Sequence, residues 1–168
     1  YDKTDVDDVI TELKHLNDHQ KETLRKVLNK YKKLFSGELG LYPHKKFHID
    51  VNPDAEPKHM RAYPVPHVHL ELFKKELQHL VKLGVLSPQG ASEWAMPSFI
   101  VPKKDGRVRW ISDLRELNKV IKRKQYPLPM IMDVLRKRNG YQFFTKLDIS
   151  MQYYTFELDD ESKDLCTI

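Results

Sequence analysis

The sequence predicts an α+β fold, with helices at the N-terminus followed by mixed strands and helices. Three observations predict it. Apolar residues recur at helical spacing over residues 5–35 and 67–83. An Asp-Gly pair, Asp105-Gly106, sits between two short β-prone runs. A further apolar run, Gln142 to Leu147, reads as a strand that delivers Asp148 at its end. Helices segregated from a small sheet make an α+β layer arrangement.

Within 5–35, Leu24, Val27, Leu28, Tyr31, Leu34 and Phe35 form one apolar stripe. Asn17 or Asp18 is positioned to cap that helix, and Gly37 and Gly40 stop it. The stripe packs against this domain or against a neighbour. Residues 41–66 hold five prolines and no helical period. Phe47, Ile49 and Val51 alternate as a short strand would, and 52–66 reads as an extended connector pinned by proline. Over 67–83, Leu72, Phe73, Leu77, Leu80 and Val81 share a face, and Gly84 ends the helix. Ser98 to Val101 and Arg107 to Ile111 read as hairpin strands around Lys103-Lys104-Asp105-Gly106. Residues 113–119 suit a short helical turn, and another short helix is expected near 130–138, after Pro127 and Pro129. Thr155 to Leu158 is expected to pair back beside the strand over 142–147. Leu165 to Ile168 looks like the beginning of a further strand.

A chain of 168 residues is one domain by length, and it can bury roughly 70% of the surface of its unfolded form. No apolar run approaches the roughly 18 residues of a membrane span, so no membrane partner is expected. No signal peptide is visible. Tyr1 opens the chain, which fits a piece taken from a longer polypeptide. Cys166 is the only cysteine, so no internal disulfide can form, and an intracellular setting fits. His15/His19 and His44/His48 have ligand-like spacings, but nothing nearby completes a zinc site.

The formal charge is +5, unevenly spread. From Lys103 to Arg138 there are 12 Lys/Arg against 4 Asp/Glu, a local charge of +8. Such a block can meet a polyanion, or it can be a solvated surface. Arg107 and Arg109 share one face of their strand, while Val108 and Trp110 point towards a core. With Lys103 and Lys104 they form a finger of cations suited to a triphosphate. Taken alone, the same residues also describe a solvated hairpin tip. Asp148, after Phe143-Phe144-Thr145-Lys146-Leu147, suits a magnesium ligand or a plain strand-end cap. Two-metal phosphoryl transfer needs at least two carboxylates. Asp159, Asp160, Glu161 and Asp164 read as a solvated turn.

Taken together, these segments resemble a family. "WAMPSFIVPKKDGRVRWISDLRELNKVIKRKQYPLP" followed by "FFTKLDI" is similar to the fingers and early palm of reverse transcriptases from long-terminal-repeat retrotransposons of the Ty3/gypsy type. "FHIDVNPDAEPKHMRAYPVP" and "KLGVLSPQGASEWAMP" fit the segments that lead into the fingers. The resemblance covers about residues 47–158.

It implies a right-hand polymerase: residues 1–40 as a helical segment before the polymerase, 41–66 as a proline-rich lead-in, and 67–168 as fingers and an incomplete palm. Asp148 matches the first catalytic aspartate, a ligand of Mg2+ (or Mn2+), and Ile149 would offer its backbone carbonyl to the metal. Lys103 or Lys104, with Arg109, matches the residues that hold the triphosphate of a dNTP. Asp113 and Arg115, in "SDLREL", match the support of the fingers and template. Tyr153 matches the aromatic gate that excludes a ribose 2′-hydroxyl.

Two departures stand out. Gln152 replaces the family's glycine and Thr155 its glutamine, which puts a side chain where backbone should approach the nucleotide. The Tyr-x-Asp-Asp hairpin with the other catalytic carboxylates is not within these residues. The implied partners are an RNA or DNA template-primer and the remainder of a Pol polyprotein (palm, thumb, RNase H, integrase). The implied location is a cytoplasmic particle.

Three functions follow as expectations. The first is RNA-directed DNA polymerisation, with this piece inactive alone. The second is a non-catalytic nucleic-acid-binding remnant. The third is a helical interaction module acting through Leu24 and Leu28.

Overall fold

A computed structural model describes residues 3–104 and 106–168. Asp105, at the expected hairpin turn, lies outside the described residues. The chain divides into two compact units. The residues up to His44 together with Ile149–Phe156 form one, and Lys45–Asp148 with Glu157–Ile168 form the other.

In the first unit the expected long helix is two helices, α1 (Val6–Glu12) and α2 (Asp18–Lys30), with a 3-10 turn at Lys32–Phe35. The break has a local cause. Asn17 and Gln20 form a reciprocal cap: the Gln20 N–H donates to Asn17 Oδ1 (2.9 Å) and the Asn17 N–H donates to Gln20 Oε1 (3.0 Å). Asp5 caps α1 by accepting from the Asp7 N–H. Val6 and Ile10 are buried, and Arg25 ties the two helices by reaching Asp7 at 2.8 Å. The stripe is only partly covered: Leu34 is 79% exposed. In the same unit Gln152–Thr155 is a 3-10 turn entered through Met151 in the left-handed region (φ 55). Tyr42 donates its N–H to the Thr155 carbonyl and sets its ring against Phe156.

In the second unit, α3 (Leu70–Lys82) follows a 3-10 turn at His67–His69 and ends where Gly84 takes φ +73. Leu80 is its buried residue. Strands β1 (Ser98–Pro102) and β2 (Val108–Ser112) pair antiparallel, Ile100 opposite Trp110 and Val101 opposite Arg109. They are the whole sheet among the described residues. The Trp110 ring packs on Phe73 of α3 with centroids 4.8 Å apart. Then come α4 (Arg115–Val120), α5 (Ile131–Arg136) and α6 (Asp160–Leu165). Trp94, Met96 and Leu117 form the core, flanked by Val51, Leu114, Val120, Ile121, Leu165 and Cys166.

The proline-rich segment is more than a connector. Its backbone is stitched to three distant places: Phe47 bridges Leu158, Val51 bridges Ile121 and His59 bridges Ala95. Ser162, fully buried, accepts the Ile49 N–H at 2.8 Å. These are single bridges rather than the short strand expected over 47–51.

Three sequence expectations are corrected. Residues 142–147 form no strand. Phe143, Phe144 and Leu147 are exposed, because no segment of the unit offers them a ladder. Thr155 to Leu158 does not pair beside them. Thr155 closes the 3-10 turn by donating its hydroxyl to the Gln152 carbonyl (2.6 Å). The chain end is helical up to Leu165, because Asp159 caps α6 by accepting the Ser162 N–H. The acids at 159–164 therefore belong to a capped helix and not to a solvated turn. Among the described residues no helix is long and apolar enough to cross a membrane.

Candidate nucleotide and nucleic-acid site

The hairpin β1–β2 carries most of the cations singled out in the sequence. Its turn is closed by the Lys103 N–H, which donates to the Arg107 carbonyl (2.7 Å), and by the Gly106 N–H, which donates to Lys103 (3.2 Å). Gly106 has φ +79, a conformation that a side chain would strain. Lys103, Lys104 and Arg109 are exposed around this turn. Arg109 lies opposite Val101 and on the face of Phe99 and Ile111, away from the Trp110 face that packs on α3.

At the base of the hairpin, Asp113 and Arg115 are brought together. Arg115 forks onto the carboxylate, with Nε 2.8 Å from Oδ1 and Nη2 2.6 Å from Oδ2. The Tyr63 hydroxyl donates to Oδ2 at 2.7 Å, and the Tyr63 ring meets Phe99 edge-on. The Asp113 side chain is 11% exposed, whereas that of Arg115 is 79% exposed. A half-hidden acid thus holds an outward guanidinium in a fixed fork. Arg115, helped by the Tyr63 hydroxyl, holds the Asp113 carboxyl well below the usual carboxylate range. Asp113 in turn raises Arg115 above its ordinary value. Tyr63 was missed by sequence reasoning, since it lies 50 residues from Asp113. Its only signal is its place before Pro64 in the lead-in motif.

Asp148 is exposed in an irregular stretch, and among the described residues it has no hydrogen-bonded or ionic partner. The other acids considered for a metal are engaged. Asp159 caps α6 and lies 2.7 Å from His48 Nδ1. Hydrogen bonds from Ser162, and then from His48, hold its carboxyl at about 2. Asp160 pairs with Lys163, and Gln89 donates to Asp164. Among the described residues no three His, Cys, Asp or Glu are grouped to hold a metal ion. A pair of magnesium ions therefore does not fit the donor set of these residues. In the other unit, Ile149 is exposed, and Tyr153 is 88% exposed on its 3-10 turn.

No protein-family model matches the chain. The Transposon Tf2-3 polyprotein of Schizosaccharomyces pombe is 33% identical over 119 residues, 70% of the chain and 9% of the polyprotein. The chain is a homologue of retrotransposon polyproteins. Crystalline prototype foamy virus protease-reverse transcriptase (a CSH mutant) superposes with a TM-score of 0.77 and 27% identity, over 95% of this chain and 22% of that one. The foamy viral enzyme in complex with an RNA/DNA hybrid gives a TM-score of 0.57 and 27% identity, over 73% and 17%. The chain thus spans a small part of every relative named, and its α+β fold is that of a region of the foamy virus protein.

Proposed function

We propose that the chain is the fingers and early palm of an RNA-directed DNA polymerase, the enzyme that adds a dNTP to a primer 3′-hydroxyl on an RNA or DNA template. The observation that carries this reading is the superposition of 95% of the chain on foamy virus protease-reverse transcriptase. In this reading 1–40 precedes the polymerase, 41–66 leads into it, and 67–168 is fingers and incomplete palm. Lys103, Lys104 and Arg109 meet the triphosphate, where arginine's fork and lysine's mobile charge suit phosphate oxygens. Asp113 and Arg115 brace the template side. Tyr153 stands under the sugar, and Ile149 offers its carbonyl beside Asp148.

Asp148 is one carboxylate, and two-metal catalysis needs a clamp of several. A polypeptide of these 168 residues alone therefore does not polymerise DNA. The remaining carboxylates come from the Tyr-x-Asp-Asp hairpin of the parent Pol polyprotein. That polyprotein works in a cytoplasmic particle and uses Mg2+ or Mn2+.

The test is primer extension on an RNA template by a polypeptide joining these residues to the Tyr-x-Asp-Asp region of a Tf2-type relative, beside its Asp148→Asn variant. Incorporation by the first and none by the second supports the reading. Equal incorporation by both sinks it.

A further inference from the structure

The Asp113–Arg115 fork has a third member, and the needs of the acid alone do not explain it. Arg115 already supplies the carboxylate with donors: Nε and the backbone N–H reach Oδ1 at 2.8 and 3.3 Å, and Nη2 reaches Oδ2 at 2.6 Å. The Tyr63 hydroxyl adds a fourth, to Oδ2 at 2.7 Å, and lies 3.4 Å from Arg115 Nη2. It touches acid and guanidinium at once, beside the contact that closes the fork. The hydroxyl is itself held in place. The Met60 N–H donates to the Ala95 carbonyl at 2.7 Å and His59 bridges Ala95, which fixes the backbone just before Tyr63. Pro64 narrows Tyr63 to extended backbone. The ring rests edge-on against Phe99 of β1, with centroids 6.0 Å apart.

We propose that Tyr63 is a positioning residue: through Asp113 it fixes the Arg115 guanidinium so that the Nη1 edge takes a phosphate oxygen of the template strand. A guanidinium offers five N–H donors in a rigid plane. Asp113 takes one from Nε and one from Nη2, and the Tyr63 hydroxyl lies beside Nη2. Nη1 has no protein partner among the described residues, so both its donors remain for a ligand. The Arg115 side chain is 79% exposed, and a long side chain in that setting ordinarily loses much rotamer freedom on binding. Anchorage to an acid that is 11% exposed removes that freedom beforehand. The two charges of the pair cancel, so its worth to a phosphate lies in a donor edge of fixed direction rather than in long-range attraction. The choice of ligand rests on the polymerase reading, whereas the cluster of Tyr63, Asp113 and Arg115 does not.

Two measurements test this. The first uses the 168-residue chain with no ligand and follows hydrogen exchange of the Arg115 Nε–H by NMR. Tyr63→Phe keeps the ring on Phe99 and removes only the hydroxyl, and the exchange quickens about fivefold, the effect of one hydrogen bond. The second uses the chain joined to a Tyr-x-Asp-Asp region, with anisotropy of a labelled RNA template annealed to a DNA primer. Tyr63→Phe weakens binding about fivefold and Arg115→Gln about tenfold. The double variant binds no worse than Arg115→Gln alone, because the tyrosine acts only through the arginine. In primer extension, Tyr63→Phe leaves the KM for dNTP unchanged, since the triphosphate grip lies at the hairpin turn. A residue that merely supports the fold would raise that KM as well. Additive losses in the double variant, a raised KM for dNTP, or Arg115 exchange indifferent to Tyr63→Phe overturns the proposal. A wild-type longer polypeptide that binds no template-primer sinks the polymerase reading and the ligand named here, while the exchange result on the 168-residue chain still decides whether Tyr63 positions Arg115.

Discussion

Ser162→Ala removes a hydroxyl that holds the Ile49 amide in the second unit and also bonds the Asp159 carboxylate. Ser162 is fully buried, and its Oγ accepts the Ile49 N–H at 2.8 Å. The substitution removes that oxygen and leaves the Ser162 N–H, which donates to Asp159 at 2.9 Å, in place. A buried donor without a partner costs about 1–3 kcal/mol. The Ile49 amide is only partly buried, so the lower half of that range applies, about 1–2 kcal/mol. With a urea dependence of about 2 kcal/mol per molar, the unfolding midpoint falls by about 0.5–1 M. The assay is urea unfolding followed by tryptophan fluorescence. Both tryptophans, Trp94 and Trp110, belong to the second unit, so the signal reports on it alone. Amide exchange at Ile49 quickens in parallel. An unchanged midpoint with unchanged exchange would refute the claim that Ser162 secures the proline-rich segment.

The remaining predictions concern the core, the acids and the helix cap. Leu117 is fully buried between Trp94 and Met96, so Leu117→Ala costs about 2–5 kcal/mol by the same urea assay. A loss under about 1 kcal/mol would mean that the site collapses without a cavity. Asp159 is held at about 2, and Glu157 and Asp50 are also depressed, led by Lys46 and Lys124 respectively. Their contribution is therefore present above the ordinary carboxylate value and lost as pH falls from about 4 towards 2, read as a falling urea midpoint. Carboxyl titration by NMR gives an order at Asp113. Arg115→Gln raises its pKa most and Tyr63→Phe raises it less, and the reverse order would contradict the fork geometry. Asn17→Ala removes the cap of α2 and costs about 1 kcal/mol, read from helical ellipticity on heating.

Local signals were legible in the sequence, and long-range ones were not. Asn17 with Gln20 is a capping box written in adjacent residues, and α2 begins where it says. Lys103 to Gly106 announced the hairpin, which formed with the first strand one residue longer and the second shifted by one residue. Asp159 with Ser162 is an equally local cap, and reading it would have replaced the strand expected at the chain end by α6. The error over 142–147 has a different origin. Phe143, Phe144 and Leu147 have strand propensity, but a strand is defined by its partner, and no segment of the unit pairs with this one. The same dependence hid the bridges of Phe47 to Leu158 and Val51 to Ile121, each spanning a large loop. At the candidate site, Asp113 and Arg115 were readable as a motif. The Tyr63 hydroxyl that completes the cluster was not, since its partner comes from another part of the chain.

The central claim is that these residues carry the first metal ligand and the nucleotide grip of a reverse transcriptase but not the whole active centre. Primer extension on an RNA template tests it most directly, run with the 168-residue chain, with the chain joined to a Tyr-x-Asp-Asp region, and with Asp148→Asn in that longer polypeptide. The predicted result is incorporation by the longer polypeptide alone. Incorporation by the 168-residue chain, or by the Asp148→Asn variant at an undiminished rate, would contradict it.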